Sequence, residues 1–132
     1  MILVDTSVWI DFFNGSDRPW TKALAAASRD GHVVVGDLVL AEVLQGFRNE
    51  RDFREARRVL SLFPAVALCG HEVAEAAAAN YRLLRRRGLT LRGTIDVIVA
   101  TWCIVNDAAI IHNDRDLATM ERELGLVACN GA

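Results

Sequence analysis

With 132 residues, 52% of them hydrophobic, and a formal net charge of −2, the chain has the length for one domain spanning residues 1–132 and too much apolar character for a disordered polymer. No apolar run approaches the ~18 residues of a membrane helix, and the opening Ile2-Leu3-Val4, cut short by Asp5, is no signal peptide. Cys69, Cys103 and Cys129 are too scattered for a disulfide framework and have no ligand spacing with His32, His71 or His112, so buried thiols in a reducing cytosol are expected rather than a zinc site.

Ile2 to Val4 is an apolar run without a polar face, which reads as a strand buried on both sides. It stops at Asp5-Thr6-Ser7, all N-cap residue types, and Thr6 to Phe13 reads as a short helix ended by Asn14-Gly15. Pro19 opens a second, alanine-rich helix over Trp20 to Arg29, broken by Asp30-Gly31. His32 to Val35 is a second β-branched run closed by Gly36-Asp37. Leu38 to Phe47 is helical with a narrow polar stripe of Glu42, Gln45 and Gly46, and Arg48 to Phe63 reads as an amphipathic helix ending before Pro64. Ala65 to Leu68 is a third strand. His71 to Arg87 is a long helix stopped at Gly88, with arginines placed favourably at its C-terminus. Thr94 to Val105 is a nearly all-apolar helix carrying one acid, Asp96, in its first turn. Ala108 to Ile111 is a fourth strand running into His112-Asn113-Asp114-Arg115-Asp116; Leu117 to Leu124 is the last helix, and Val127-Ala128 a short final strand. Short strands alternating with helices make an α/β domain with a mostly parallel sheet of four to five strands flanked by helices.

Four acids stand out. Asp5 and Asp114 end buried strands and so lie at the carboxyl edge of the sheet, where open α/β sheets bind ligands. Asp96 opens a buried helix, and Glu42 lies about one turn into the helix after the second strand. Taken singly, Asp5, Asp96 and Asp114 read equally well as helix caps or dipole partners, and Glu42 as a solvated residue. Together at one edge they repel one another unless a cation joins them, and hard ions such as Mg²⁺ take oxygen ligands. Asp116 reads either as a supporting residue or as a cap.

Four segments carry a resemblance. Asp5-Thr6-Ser7 after a strand, Leu40-Ala41-Glu42-Val43, Thr94-Ile95-Asp96 opening an apolar helix, and Asn113-Asp114-Arg115-Asp116-Leu117 look like the four motifs of PIN-domain ribonucleases. Their order and spacing resemble the small VapC toxins of bacterial toxin–antitoxin pairs, over the whole chain from Met1 to the last strand. The resemblance implies a PIN-like fold and a catalytic, metal-binding quartet of Asp5, Glu42, Asp96 and Asp114, supported by Ser7, Thr94 and Asp116. It implies Mg²⁺- or Mn²⁺-dependent cleavage of RNA phosphodiester bonds, in which metal polarises phosphoryl oxygen and activates water. One position departs: many relatives have threonine two residues before the last acid, where this chain has His112, a change that bears on local hydrogen bonding and metal number but removes no carboxylate.

Lys22 is the only lysine, and the arginines bunch in Arg48 to Arg58 and Arg82 to Arg92. Arg85, Arg86 and Arg92, just before the Asp96 motif, are the residues expected to contact RNA phosphates; a solvated helix end is the plainer reading of each. The implied partners are RNA, structured species such as tRNA or rRNA included; a second copy of the chain in a homodimer; and a VapB-type antitoxin that covers the active-site groove and binds operator DNA. Trp9, Phe12, Phe13, Trp20, Phe47 and Phe63, placed on the early helices, are aromatic material for such contacts, or simply core. A receiver domain of two-component signalling would need a lysine late in the chain, and a haloacid-dehalogenase-type phosphatase a second aspartate where Ser7 stands. The remaining alternative is a PIN fold that binds RNA or a partner without cutting.

Overall fold

The computed structural model describes residues 1–131. Strands β1 (Ile2–Val4), β2 (Val33–Gly36), β3 (Ala65–Val66) and β4 (Ala109–Ile111) form one parallel sheet in the order β3-β2-β1-β4. The register pairs Leu3 with Val34 on one side and with Ile110 on the other. β1 is thus central, and every residue of Leu3, Val4, Val33, Val34 and Val35 is buried, as the continuous apolar runs require of strands covered on both faces. A parallel bridge between Ile110 and Ala128 adds the beginning of a fifth position beyond β4.

Helices α1 (Thr6–Phe13), α2 (Pro19–Arg29), α3 (Asp37–Gln45), α4 (Glu50–Leu60), α5 (Gly70–Arg86), α6 (Thr94–Val105) and α7 (Arg115–Leu124) supply the crossovers. α6 is the most deeply buried: Val97, Val99, Ala100, Thr101, Trp102 and Cys103 are all inside. Two expected elements are shorter than their apolar patterns. α4 starts at Glu50 because Asn49 caps it, its Oδ1 accepting the Arg51 and Asp52 N–H groups at 2.8 and 3.1 Å. β3 covers only Ala65–Val66 of the expected Ala65 to Leu68. Leu68 instead turns its side chain over Gly36, and its N–H goes to Asp37 Oδ1 at 3.0 Å.

The early aromatics converge from separate segments. Trp9 is buried, with Phe12, Phe13 and Phe63 at ring-centroid distances of 5.9, 6.0 and 5.5 Å, and Phe13 meets Phe47 at 5.7 Å. Phe63 lies beyond the end of α4 rather than on a helix. Trp9 is core; Phe12 remains exposed. Among the described residues no helix is long and apolar enough to cross a membrane.

Candidate active site

The strand order decides what shares the carboxyl edge. Central β1 ends at Asp5, whose N–H donates to Ile111 O of β4 at 2.9 Å. β2, on its other side, leads directly into α3 and so to Glu42. β4 leads to Asp114, and the N-terminus of α6 brings Asp96. Asp5, Thr6, Ser7, Ile10, Glu42, Arg92, Gly93, Thr94, Ile95, Asp96 and Asp114 line one open cleft of about 510 Å³. The quartet therefore meets in a single cleft, though its members are spread over most of the chain.

Two of these acids both cap a helix and line the cleft. Asp5 is the N-cap of α1: its Oδ2 accepts Ser7 N–H at 3.2 Å and Ser7 Oγ–H at 2.7 Å. Asp114 is the N-cap of α7: its Oδ2 accepts the N–H groups of Asp116 and Leu117 at 2.9 and 3.0 Å. In each carboxylate the cap bonds fall on Oδ2, and Asp114 Oδ1 meets Arg92 Nη2 at 3.2 Å. Ser7 Oγ also accepts Asn113 N–H at 3.0 Å, so this small residue ties the end of β1 to the loop after β4. Thr6 was read only as a capping type, yet it donates from Oγ1 to Glu42 Oε1 at 2.8 Å. Its position beside Asp5 was the one available signal; the partner, in another helix, was not visible in local pattern. Thr94 opens α6 and lines both the cleft and a neighbouring groove between α5 and α6.

Electrostatics mark the cluster as unfavourable by itself. Burial raises the Asp5 carboxyl above the usual carboxylate range, against the lowering effect of the Ser7 hydrogen bonds, and the charge of Asp114 raises it further. Asp96 is pushed up to about 7, first by burial, then by the charges of Asp114, Asp5, Glu42 and Asp116. Asp96 makes no side-chain cap bond at the start of α6, so its position there is not explained by capping.

Asp116 is not the cap of α7, a place taken by Asp114. It is 6% exposed, and its Oδ2 accepts Arg92 N–H at 3.1 Å and Arg92 Nε–H at 3.2 Å. One carboxylate oxygen from each of Asp96, Asp114 and Asp116 lies within 4.8 Å of the others. This tight trio and the quartet of the cleft overlap at Asp96 and Asp114. Asp5 and Glu42 line the cleft with Asp96 and Asp114, whereas Asp116 is not among the residues that line it.

The three expected RNA-contacting arginines part company. Arg92 lines the cleft, but its guanidinium spans Asp114 Oδ1 and Asp116 Oδ2, both at 3.2 Å. With its side chain 62% exposed, it balances the acids in this state rather than presenting a free cation. Arg85 lies over the Tyr81 ring at 5.9 Å and rims the α5–α6 groove. Arg86 is exposed beside it. Between them and α7, Arg87 is paired with Glu123 at 2.9 Å.

Comparison with known proteins agrees with this geometry. The family model described as PIN domain matches residues 2–123. Ribonuclease VapC11 of Mycobacterium tuberculosis is 27% identical over 132 residues, covering 98% of this chain and 98% of that protein. VapBC2 of Rickettsia felis, solved bound to a DNA fragment from its promoter, superposes with a TM-score of 0.80 at 17% identity and full coverage, 100%, of both chains. DNA-bound VapBC of Salmonella typhimurium gives 0.78 at 15% identity, covering 97% of this chain and 96% of that one. At these identities the two solved structures speak for the fold.

Proposed function

This chain belongs to the PIN domain family, and from that premise we propose that it is a metal-dependent endoribonuclease toxin of the VapC type, neutralised by a VapB-type antitoxin. The observation that carries the reading is the convergence of Asp5, Glu42, Asp96 and Asp114 in one cleft at the carboxyl edge of the sheet. Support comes from the relative named a VapC ribonuclease and from structural neighbours that are toxin–antitoxin assemblies with DNA.

The residues present fit a divalent cation: an all-oxygen donor set lining one cleft, an Asp96 carboxyl pushed up to about 7 by burial and by the neighbouring acids, and oxygens of Asp96 and Asp114 within 4.8 Å of each other. Asp5, Glu42, Asp96 and Asp114 would hold Mg²⁺ or Mn²⁺. Such an ion, when bound, would supply Lewis-acid polarisation of a phosphoryl oxygen and a water nucleophile at neutral pH. The chain's own part is preorganisation. Ser7 orients Asp5 and Thr6 orients Glu42. The first turn of α7 fixes Asp114. Asp96, pushed up to about 7, would have to be ionised to serve as a ligand, so cation affinity should rise with pH through about 7. Arg85, which shares the α5–α6 groove with Thr94, and its exposed neighbour Arg86 would offset the repulsion between an acidic site and a polyanionic substrate.

The test is RNA cleavage by the purified chain in Mg²⁺ or Mn²⁺ and in EDTA. Cleavage is expected with either metal and abolished by EDTA. Asp5→Asn, which keeps the cap of α1 while removing a charged ligand, should lose most activity with native circular dichroism. Full activity after rigorous metal removal would sink the assignment, and metal-independent RNA binding without cleavage would favour a non-catalytic PIN module.

A further inference from the structure

We infer that His112 is a positioning residue for Asp114, held by Glu121 and Asn130; this deepens the reading above and rests on it. The imidazole is 4% exposed, and both of its nitrogens are engaged. Nδ1 accepts Asp114 N–H at 3.1 Å, so it carries no proton. The ring proton of the neutral form is therefore on Nε2, which donates to Glu121 Oε2 at 2.7 Å. The backbone N–H of His112 donates to Asn130 Oδ1 at 2.7 Å. Asn130 is in turn fixed by the segment that joins the sheet edge, where Cys129 N–H donates to Ile110 O at 2.9 Å.

This brace explains how a loop of three residues between β4 and α7 holds a carboxylate in place. His112 fixes the Asp114 backbone from one side and the first turn of α7 fixes Asp114 Oδ2 from the other. Only Oδ1 is left toward the cleft and Arg92. A buried histidine that merely filled space would need neither the acid at Nε2 nor the backbone donor at Nδ1. Loss of an outer group that orients a ligand typically costs about 10–100-fold in metal affinity.

Glu121 is the place to test it, because it is on the surface of α7 and outside the lining of the acidic cleft. Mn²⁺ binding by the full chain, without RNA, is read from the loss of the free-ion electron paramagnetic resonance signal, and melting in EDTA confirms that each variant is folded. Glu121→Leu removes the acceptor and should weaken Mn²⁺ binding roughly tenfold. Glu121→Gln keeps an oxygen for the same N–H and should stay within roughly threefold of wild type. Equal affinity in the wild type and Glu121→Leu would overturn the inference. A Glu121→Gln protein as weak as Glu121→Leu would overturn it too, placing the effect in lost charge rather than in the held imidazole. A wild type that binds no Mn²⁺ at all would remove the metal reading and this inference together, a result distinct from failure of the brace alone.

Discussion

Asp96→Asn should stabilise the metal-free protein, and the size of the effect follows from the site. The Asp96 carboxyl is raised from 3.8 to about 7 by burial and by four neighbouring acids. A folded-state pKa above the unfolded one means that ionised Asp96 opposes folding above pH 4, and that stability returns as pH falls through about 7. That rise corresponds to ~4 kcal/mol at full conversion. The side chain is only half-buried, so water and salt screen much of this, and ~1–2 kcal/mol is the realistic cost near pH 8. Asparagine forfeits the favourable placement of an acid in the first turn of α6, ~0.3–1 kcal/mol. The net gain is ~1 kcal/mol, or a Tm about 3–6 °C higher in a domain of this size. The assay is thermal melting of both proteins in EDTA at pH 8 and pH 5.5, and at pH 8 in Mg²⁺. The gap should narrow at the lower pH, where the wild type protonates Asp96. Mg²⁺ should then stabilise the wild type, by ~2.7 kcal/mol at a hundredfold excess over Kd, and the variant much less. A variant that melts below the wild type in EDTA, with an undiminished Mg²⁺ response, would refute the argument and return Asp96 to a purely structural role.

Two further outcomes are expected. Changing Arg85 and Arg86 together to glutamine should flatten the salt dependence of RNA binding by a slope of roughly 0.7 per lost phosphate contact; an unchanged slope, measured by filter binding across ionic strength, would leave them a solvated helix end. Gly36→Ala places a methyl group inside van der Waals distance of the Leu68 side chain, and the displaced packing should cost ~1–3 kcal/mol in urea denaturation; a variant as stable as the wild type would show that Leu68 swings aside without penalty.

Much of the site was readable because its acids sit at junctions that local chemistry announces. A buried apolar run ending at Asp5, and another ending near Asp114, identify carboxyl-edge acids whatever the strand order. The apolar helix around Asp96 marks a charge that burial would penalise. These signals depend on periodicity and capping, which act over a few residues. Cap and cation ligand were opposed readings of Asp5 and Asp114, and the geometry makes them compatible. Each carboxylate has two oxygens, and the cap occupies one.

What only the tertiary structure decided lies at long separations. The order β3-β2-β1-β4 puts the Asp5 strand between those leading to Glu42 and Asp114, and no local pattern encodes neighbour order. Thr6 reaches Glu42 across 36 residues, and Arg92 reaches Asp114 and Asp116 across 22 and 24. That last pairing gives Arg92 two acidic partners besides its place in the cleft lining, because an exposed guanidinium beside a carboxylate cluster is drawn to the nearest charge. His112 stood out in the sequence as a departure, and its partners gave it a role: Asp114 N–H on one ring nitrogen, Glu121 on the other. The sequence by itself determined the strand–helix alternation and the acids at its turns, since both arise from short-range sterics and hydrophobic period. Which charges share a cavity, and which arginine answers them, was settled by packing, since electrostatic interaction depends on distance in space and not along the chain.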